Sequence, residues 1–428
     1  MTSESPVREA EAEGAWPEDY RTLLRKPLSE REVRLLERAR THAADFATRA
    51  DEHDREATFP IENYDAMKAS GYAHMTMPSS LGGEDVTLLE LAACQEQLAQ
   101  GCAGTTIGVN MHIFGVGALL EDAKSQSEER RVQTEMMLQM MAASKSIMCG
   151  SFSETGQAGA YFLPATTATP VDGGWKINGT KSYNSNLPAA DFVGASVHFL
   201  DHPDGPQMVG MVMVPKDSPG VTGLGAESWD VMGVRASGSY DVLFEDVFVP
   251  AAMVPPPVAA EEAIFAGMEA FLAWFNVTVG AVYLGVAQAA TDWSIAYLKD
   301  RKPPLEERPL AHMAGMQYQL AEMVALNEAS RALVRSSAED WMAQPWTSEE
   351  TAEKGSICKY ITTNNHVRVV DLAMDIAGGP GIYRRFGLER LYRDVRAGKV
   401  HPPSDMIALE GIAKRVLGIP RDFQPRWG

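Results

Sequence analysis

A chain of 428 residues with 57 Asp and Glu against 38 Lys and Arg carries a formal net charge of −19. That balance argues against a nucleic-acid partner, because phosphate backbones are bound by clustered Lys and Arg that release counterions. With 45% hydrophobic residues the composition is globular, and the length suffices for several domains and a core needing neither disulfide nor metal.

Residues 1 to 27 are charged, contain Pro6 and Pro17 and show little periodicity, so a loosely ordered lead is expected. Their polar, acidic start lacks the basic and apolar parts of a secretory leader, which points to a cytoplasmic protein. Helical patterning begins after Ser29, where Glu32 completes the shape of a capping box. It recurs over Ile61 to Ser70, Thr87 to Ala99, Cys102 to Leu120 and Glu128 to Met141, giving an N-terminal helical domain over 28–147.

The texture changes near Met148. Short β-branched or alternating runs follow at Gly174–Gly179, Phe192–Val197, Met208–Val214 and Tyr240–Phe244. Turns are expected at Asp172-Gly-Gly174 and Asn178-Gly179, and residues 148–250 read as a β-barrel or sandwich. A linker with Pro255-Pro-Pro257 spans 251–262. Residues 263–428 then carry helices over Ile264–Lys299, Met313–Ala343, Ser348–Ala377 and Asp405–Leu417, long enough for an antiparallel four-helix bundle. The class is therefore α+β and mostly helical, and no G-x-G-x-x-G follows a strand.

Glu269, Asn276 and Gln288 interrupt the apolar stretch Ala263 to Ala290, which reads as a buried helix and not a membrane span. Cys94, Cys102, Cys149 and Cys358 form no C-x-x-C pair and read as reduced and mostly buried. The nine histidines lack metal-site spacing, so no metal is expected.

Several motifs together resemble the acyl-CoA dehydrogenase superfamily over roughly residues 30 to 418. They are Phe152-Ser-Glu-Thr-Gly156, Gly173-Gly-Trp-Lys-Ile-Asn-Gly-Thr-Lys181, Gly233-Val-Arg-Ala-Ser-Gly-Ser239 with Val242-Leu-Phe-Glu-Asp-Val-Phe-Val-Pro250, Gly378-Gly-Pro-Gly381, and Leu388-Glu-Arg-Leu-Tyr-Arg-Asp-Val395. The resemblance implies a flavin between the β-domain and the bundle, FAD with FMN or reduced flavin as alternatives, and a homotetramer built as a dimer of dimers. Ser153 and Ser185 would face the isoalloxazine, Tyr183 would take a stacking position, and Arg301 would meet the cofactor phosphates. Gly378 and Gly379 would contact the adenosine half, although Asp375 stands where the family often has Gln. Hydroxyls suit a flavin edge that gathers negative charge, and the guanidinium fork suits phosphate.

The family's dehydrogenases remove a weakly acidic proton with a Glu after the R-D-x-R segment. Here Arg396-Ala-Gly-Lys-Val-His401-Pro402-Pro403 places His401 and Pro402 at the Tyr and Glu positions. The alternative site on the first bundle helix holds Phe275, which leaves a shifted Glu269 or Glu410 as substitutes. His401, with His112 in Asn110-Met-His-Ile-Phe114, resembles the superfamily's reduced-flavin monooxygenases, as does Pro303-Pro304 in the loop after Arg301. In that branch imidazoles manage protons and flavin arrives reduced from a reductase. Three readings stay open: a monooxygenase-like enzyme using His401 and His112, a dehydrogenase of acyl-CoA or acyl-carrier-protein thioesters served by an electron-transfer flavoprotein, and a non-catalytic binding protein. Against the first, His112 could be a satisfied core residue and His401 an ordinary loop residue.

Overall fold

The structure is a computed structural model that describes residues 29–124, 128–155, 163–260, 269–343 and 348–419. The expected lead, and the start of the helix expected from Ile264, lie outside those residues. Ser29 caps α1 (Glu30–Glu56) through the reciprocal box with Glu32, and Thr87 caps α3 (Leu88–Ala99) the same way with Glu90. Between them lies α2 (Ile61–Ala69); α4 (Ala103–Ala123) and α5 (Glu128–Ser144) complete the N-terminal helices.

The middle is one mixed eight-stranded sheet: β1 (Met148–Ser151), β2 (Thr167–Val171), β3 (Gly174–Asn184), β4 (Phe192–Phe199), β5 (Met208–Pro215), β6 (Val221–Gly223), β7 (Tyr240–Pro250) and β8 (Val258–Ala259). Its order is β6-β7-β3-β2-β4-β5-β8. Along one edge of β4 both β1 and β2 pair in parallel, β1 at Phe192–Ala195 and β2 at His198–Phe199. The expected turn at Asp172-Gly173 joins β2 to β3. The expected turn at Asn178-Gly179 does not form, because both residues lie inside an eleven-residue β3. Pairing with β7 slips there between Ile177 and Gly179, so Asn-Gly marks a bulge. Gly179 has φ +149°, and a Cβ on it would lie 2.6 Å from the Thr166 hydroxyl. Within the expected linker, Val258 and Ala259 form β8 and extend the sheet beside β5.

The C-terminal part is built on α6 (Glu269–Asp300), α7 (Ala314–Ala343) and α8 (Ser348–Ala377), followed by the short α9 (Leu388–Arg396) and α10 (Asp405–Leu417). Helix α6 is the central post, packed on α3, α4, α7 and α8. By length and composition α4 and α6 could each cross a membrane, yet 78% and 89% of their most apolar windows are covered by protein. Their apolar surface is core. One polar chain runs through it: Gln95 Nε2 donates to Asn110 Oδ1 at 3.0 Å, and Asn110 Nδ2 donates to Thr278 Oγ1 at 3.0 Å.

Hydrogen bonds from the loops of the β-region also tie it to the helices. Asn186 Nδ2 donates to the Gly108 carbonyl of α4 at 2.9 Å. Asp394 of α9, 3% exposed, accepts the Val234 N–H at 2.6 Å, and its neighbour Arg393 forks onto Asp54 of α1. Val234 sits at φ 48°, a left-handed conformation that is costly for a β-branched residue and is held here by that carboxylate. The Gly-Val-Arg-Ala-Ser-Gly and Arg-Asp-Val motifs are thus two halves of one clamp.

Candidate active site

Alternation along strands places every second side chain on one face of a sheet. On the face toward α4 and α6 this brings together Met148, Gly150 and Phe152, then Gly194 and Ser196, then Met211 and Met213, which line one cavity of about 740 Å³. Gly150 pairs with Gly194 and Gly194 with Met213, so a row across three strands has no side chain at two of its three places. Two further pairs spaced by two residues, Tyr183 with Ser185 and Ser237 with Ser239, line the same cavity. A volume of this size lies in the range of small-molecule and cofactor sites.

The hydroxyl end is organised by its own hydrogen bonds. Ser239 Oγ lies 2.9 Å from Ser185 Oγ and 2.7 Å from Ser237 Oγ, forming a chain of three hydroxyls whose end can donate outward. Trp229 also lines the cavity, and its indole N–H is buried with no acceptor among the described residues. Ser153 is held by a bridge to Ser182, whose N–H donates to the Ser153 carbonyl at 2.9 Å. The next residue, Glu154, accepts from Lys181 Nζ at 2.8 Å and from the Thr166 N–H at 2.8 Å. Burial pulls the Lys181 pKa down while Glu154 supports its charge, so the pair works as an internal rivet behind Ser153.

At the other wall Phe114, Phe271 and Phe275 meet edge to face or stacked, with ring centroids 5.2 to 5.7 Å apart. His401 adjoins Phe275 and lines the cavity, and its Nε2 is 2.8 Å from the Tyr283 hydroxyl. Burial, then the nearby Lys359 cation, lowers the His401 pKa to about 3. The half-buried His401 is therefore a neutral imidazole at neutral pH. Lys359 is wholly buried beneath that loop and donates to the carbonyls of Lys399 and Pro403 at 3.2 and 2.9 Å. Burial lowers its own pKa to about 8, with Asp405 opposing.

Four of the eight residues expected at the site line this cavity: Ser153, Tyr183, Ser185 and His401. His112 does not. It is fully buried behind the wall, where Nδ1 accepts the Met148 N–H at 3.2 Å and the ring packs edge-on against His74. Burial, then His74 and Lys68, lowers its pKa to about 3, which fits a core imidazole kept neutral. Arg301, Gly378 and Gly379 are exposed on the outside of the bundle and are not among the lining residues. The residue-by-residue reading passed over Tyr283, Lys359, Trp229 and the Ser237–Ser239 pair. Only the last had a signal, the period-two spacing within a motif already singled out.

The acyl-CoA dehydrogenase N-terminal domain family matches residues 29–137, and the acyl-CoA dehydrogenase C-terminal domain family matches residues 265–417. The chain belongs to the acyl-CoA dehydrogenase superfamily, whose members are flavin-dependent oxidoreductases. A Bacillus subtilis (strain 168) protein, YdbM, described as an acyl-CoA dehydrogenase, is 29% identical over 378 residues, 87% of this chain and 93% of that protein. The amino sugar nitrososynthase DnmZ of Streptomyces peucetius is 28% identical over 399 residues, 90% of this chain and 93% of that enzyme. The solved structure of KijD3 in complex with FMN and dTDP-3-amino-2,3,6-trideoxy-4-keto-3-methyl-D-glucose superimposes with a TM-score of 0.82 at 28% identity, covering 94% of this chain and 97% of that one.

Proposed function

We propose that this chain is a reduced-flavin-dependent monooxygenase of a small molecule, with His401 holding and moving the proton at the reacting end of the cavity. The observation that carries this reading is the set of ionisable groups lining that cavity. Among the described lining residues Asp122 is the one carboxylate, and it lies eight residues beyond Phe114, about 12 Å along α4. Among the described residues neither Glu269 nor Glu410 lines the cavity, and no carboxylate stands at its aromatic end to take the α-proton of an acyl thioester.

The residues fit a flavin. The Ser185–Ser239–Ser237 hydroxyls and the unpartnered Trp229 N–H offer donors to a ring edge that accepts charge, and the half-exposed Tyr183 offers a face. A bound reduced flavin, FMN or FAD, would supply the electrons that activate dioxygen. The Phe114, Phe271 and Phe275 rings keep water from that end. His401, neutral and hydrogen-bonded to Tyr283, acts as a relay, one ring nitrogen meeting the substrate while the other shares a proton with the phenol. Arg301, Gly378 and Gly379 lie outside the cavity, so a flavin tail meets them only if a second copy docks beside them, as in the proposed homotetramer. The reaction is proposed for the cytoplasm, with a flavin reductase as the source of reduced cofactor.

The test is anaerobic addition of butyryl-CoA and longer acyl thioesters to the flavin-loaded protein, beside titrations with oxidised and reduced FMN and FAD. The flavin absorbance should persist with every thioester, and reduced flavin should bind at least about tenfold more tightly than oxidised. Bleaching by an acyl thioester overturns the reading in favour of dehydrogenation.

A further inference from the structure

The part of the cavity lined by α5, β1 and β5, called its arm below, has a chemistry of its own. A methyl group placed on Gly194 would lie 3.1, 3.5 and 3.6 Å from the sulfurs of Met213, Met148 and Met211. Three thioethers therefore converge over one bare place in the sheet. On the facing helix Met136, Met137 and Met140 also line the cavity, and Met136 and Met140 are 63% and 40% exposed at its edge. Charge is as informative as the sulfur. No Lys or Arg stands among the described lining residues, and the one formal charge, Asp122, is negative.

We propose that this arm takes a neutral, apolar substrate with an aromatic ring, and neither a CoA thioester nor a nucleoside-diphosphate sugar. The inference rests on the cavity being the flavin and substrate site, and it names the substrate class. Thioether sulfur is polarisable and packs well against aromatic edges, and unbranched Met side chains adapt to rings of different outline. A phosphate entering the arm would lose its water and find no cation among the described lining residues, which is unfavourable in a wall of this polarity. The overall charge of −19 opposes polyanions before they arrive.

The test titrates the full-length, flavin-loaded protein with naphthalene, read by its own fluorescence, and with butyryl-CoA and thymidine diphosphate as competitors. Naphthalene should bind at least about tenfold more tightly than either anion. The paired change Met211→Gln with Met213→Gln, which keeps side-chain length and adds a polar amide, should weaken naphthalene by about tenfold or more while flavin uptake is unchanged. Met136→Gln, at an exposed position that does not threaten folding, should weaken it in the same direction. Displacement of naphthalene by either anion at equal or lower concentration, or unaltered binding in the Gln variants, overturns the proposal. Flavin absorbance in the same samples separates the two readings: uptake of flavin without naphthalene binding sinks the substrate class alone, and absence of flavin uptake sinks the enzyme class.

Discussion

Replacing Asp394 with Ala tests the clamp that joins the sheet to the bundle. The carboxylate is 3% exposed, accepts the Val234 N–H at 2.6 Å and lies 3.7 Å from Arg390. Removing one member of a buried charged pair costs about 3–5 kcal/mol. Arg390 retains Asp51 at 2.7 Å, which places the expected loss near the lower end, about 3 kcal/mol. For a domain of 150–250 residues that corresponds to a fall of roughly 6–12 °C in the midpoint of thermal unfolding. Val234 supplies the internal control. Its left-handed backbone stores about 1–3 kcal/mol that the Asp394 bond holds in place, and Gly adopts that conformation freely. Val234→Gly should therefore cost at least about 1 kcal/mol more in the Asp394→Ala background, where the backbone is already free to relax, than in the parent. The readouts are circular-dichroism melting of the four proteins and flavin titration, because Ser237 and Ser239 of the cavity wall follow Val234 directly. Additive effects within about 0.5 kcal/mol, or an Asp394→Ala melting point within about 2 °C of the parent, would refute the clamp.

Two further outcomes are expected. Tyr283→Phe removes the 2.8 Å partner of His401 Nε2, so turnover should fall and its pH profile should move while flavin affinity stays within about twofold; an unmoved profile would leave Tyr283 a packing residue only. Acid stability should follow the buried histidines. His112 and His366 are fully buried with pKa values lowered to about 3, so the native state binds fewer protons than the unfolded chain between about 3 and 6.5. Stability is then fully present above pH 6.5 and is lost as pH falls, by about 1.4 kcal/mol per pH unit for each such imidazole. Asp394, raised to about 6 mainly by burial, acts with the opposite sign between about 4 and 6 and offsets one of them. His366→Leu should flatten the dependence of the urea midpoint on pH, and an unchanged slope would show that His366 titrates normally.

Much of the fold was legible because its causes are local. Capping boxes at Ser29 and Thr87, the change from period 3.6 to period 2 near Met148, and turn residues at Asp172-Gly173 each act within a few residues. Asn178-Gly179 misled for the same reason: the dipeptide favours a left-handed or extended Gly, and only pairing with β7 decided for a bulge over a turn. The short strands β6 and β8 carry no pattern of their own and exist because a neighbour's edge was open.

At the site, the chain alone determined the ingredients: hydroxyls at Ser153 and Ser185, His401 where a carboxylate could have stood, and an acidic surface. Tertiary structure decided which of them meet. His112 and His401 are the same residue type, yet one is packed behind Met148 and the other opens into the cavity, because solvent access depends on which helix covers each ring. Tyr283 and Lys359 acquire their roles from residues 118 and 44 positions away in the chain, His401 and Pro403. Electrostatic tuning of a proton-handling group is a property of burial and neighbouring charge, and neither exists until the chain has folded.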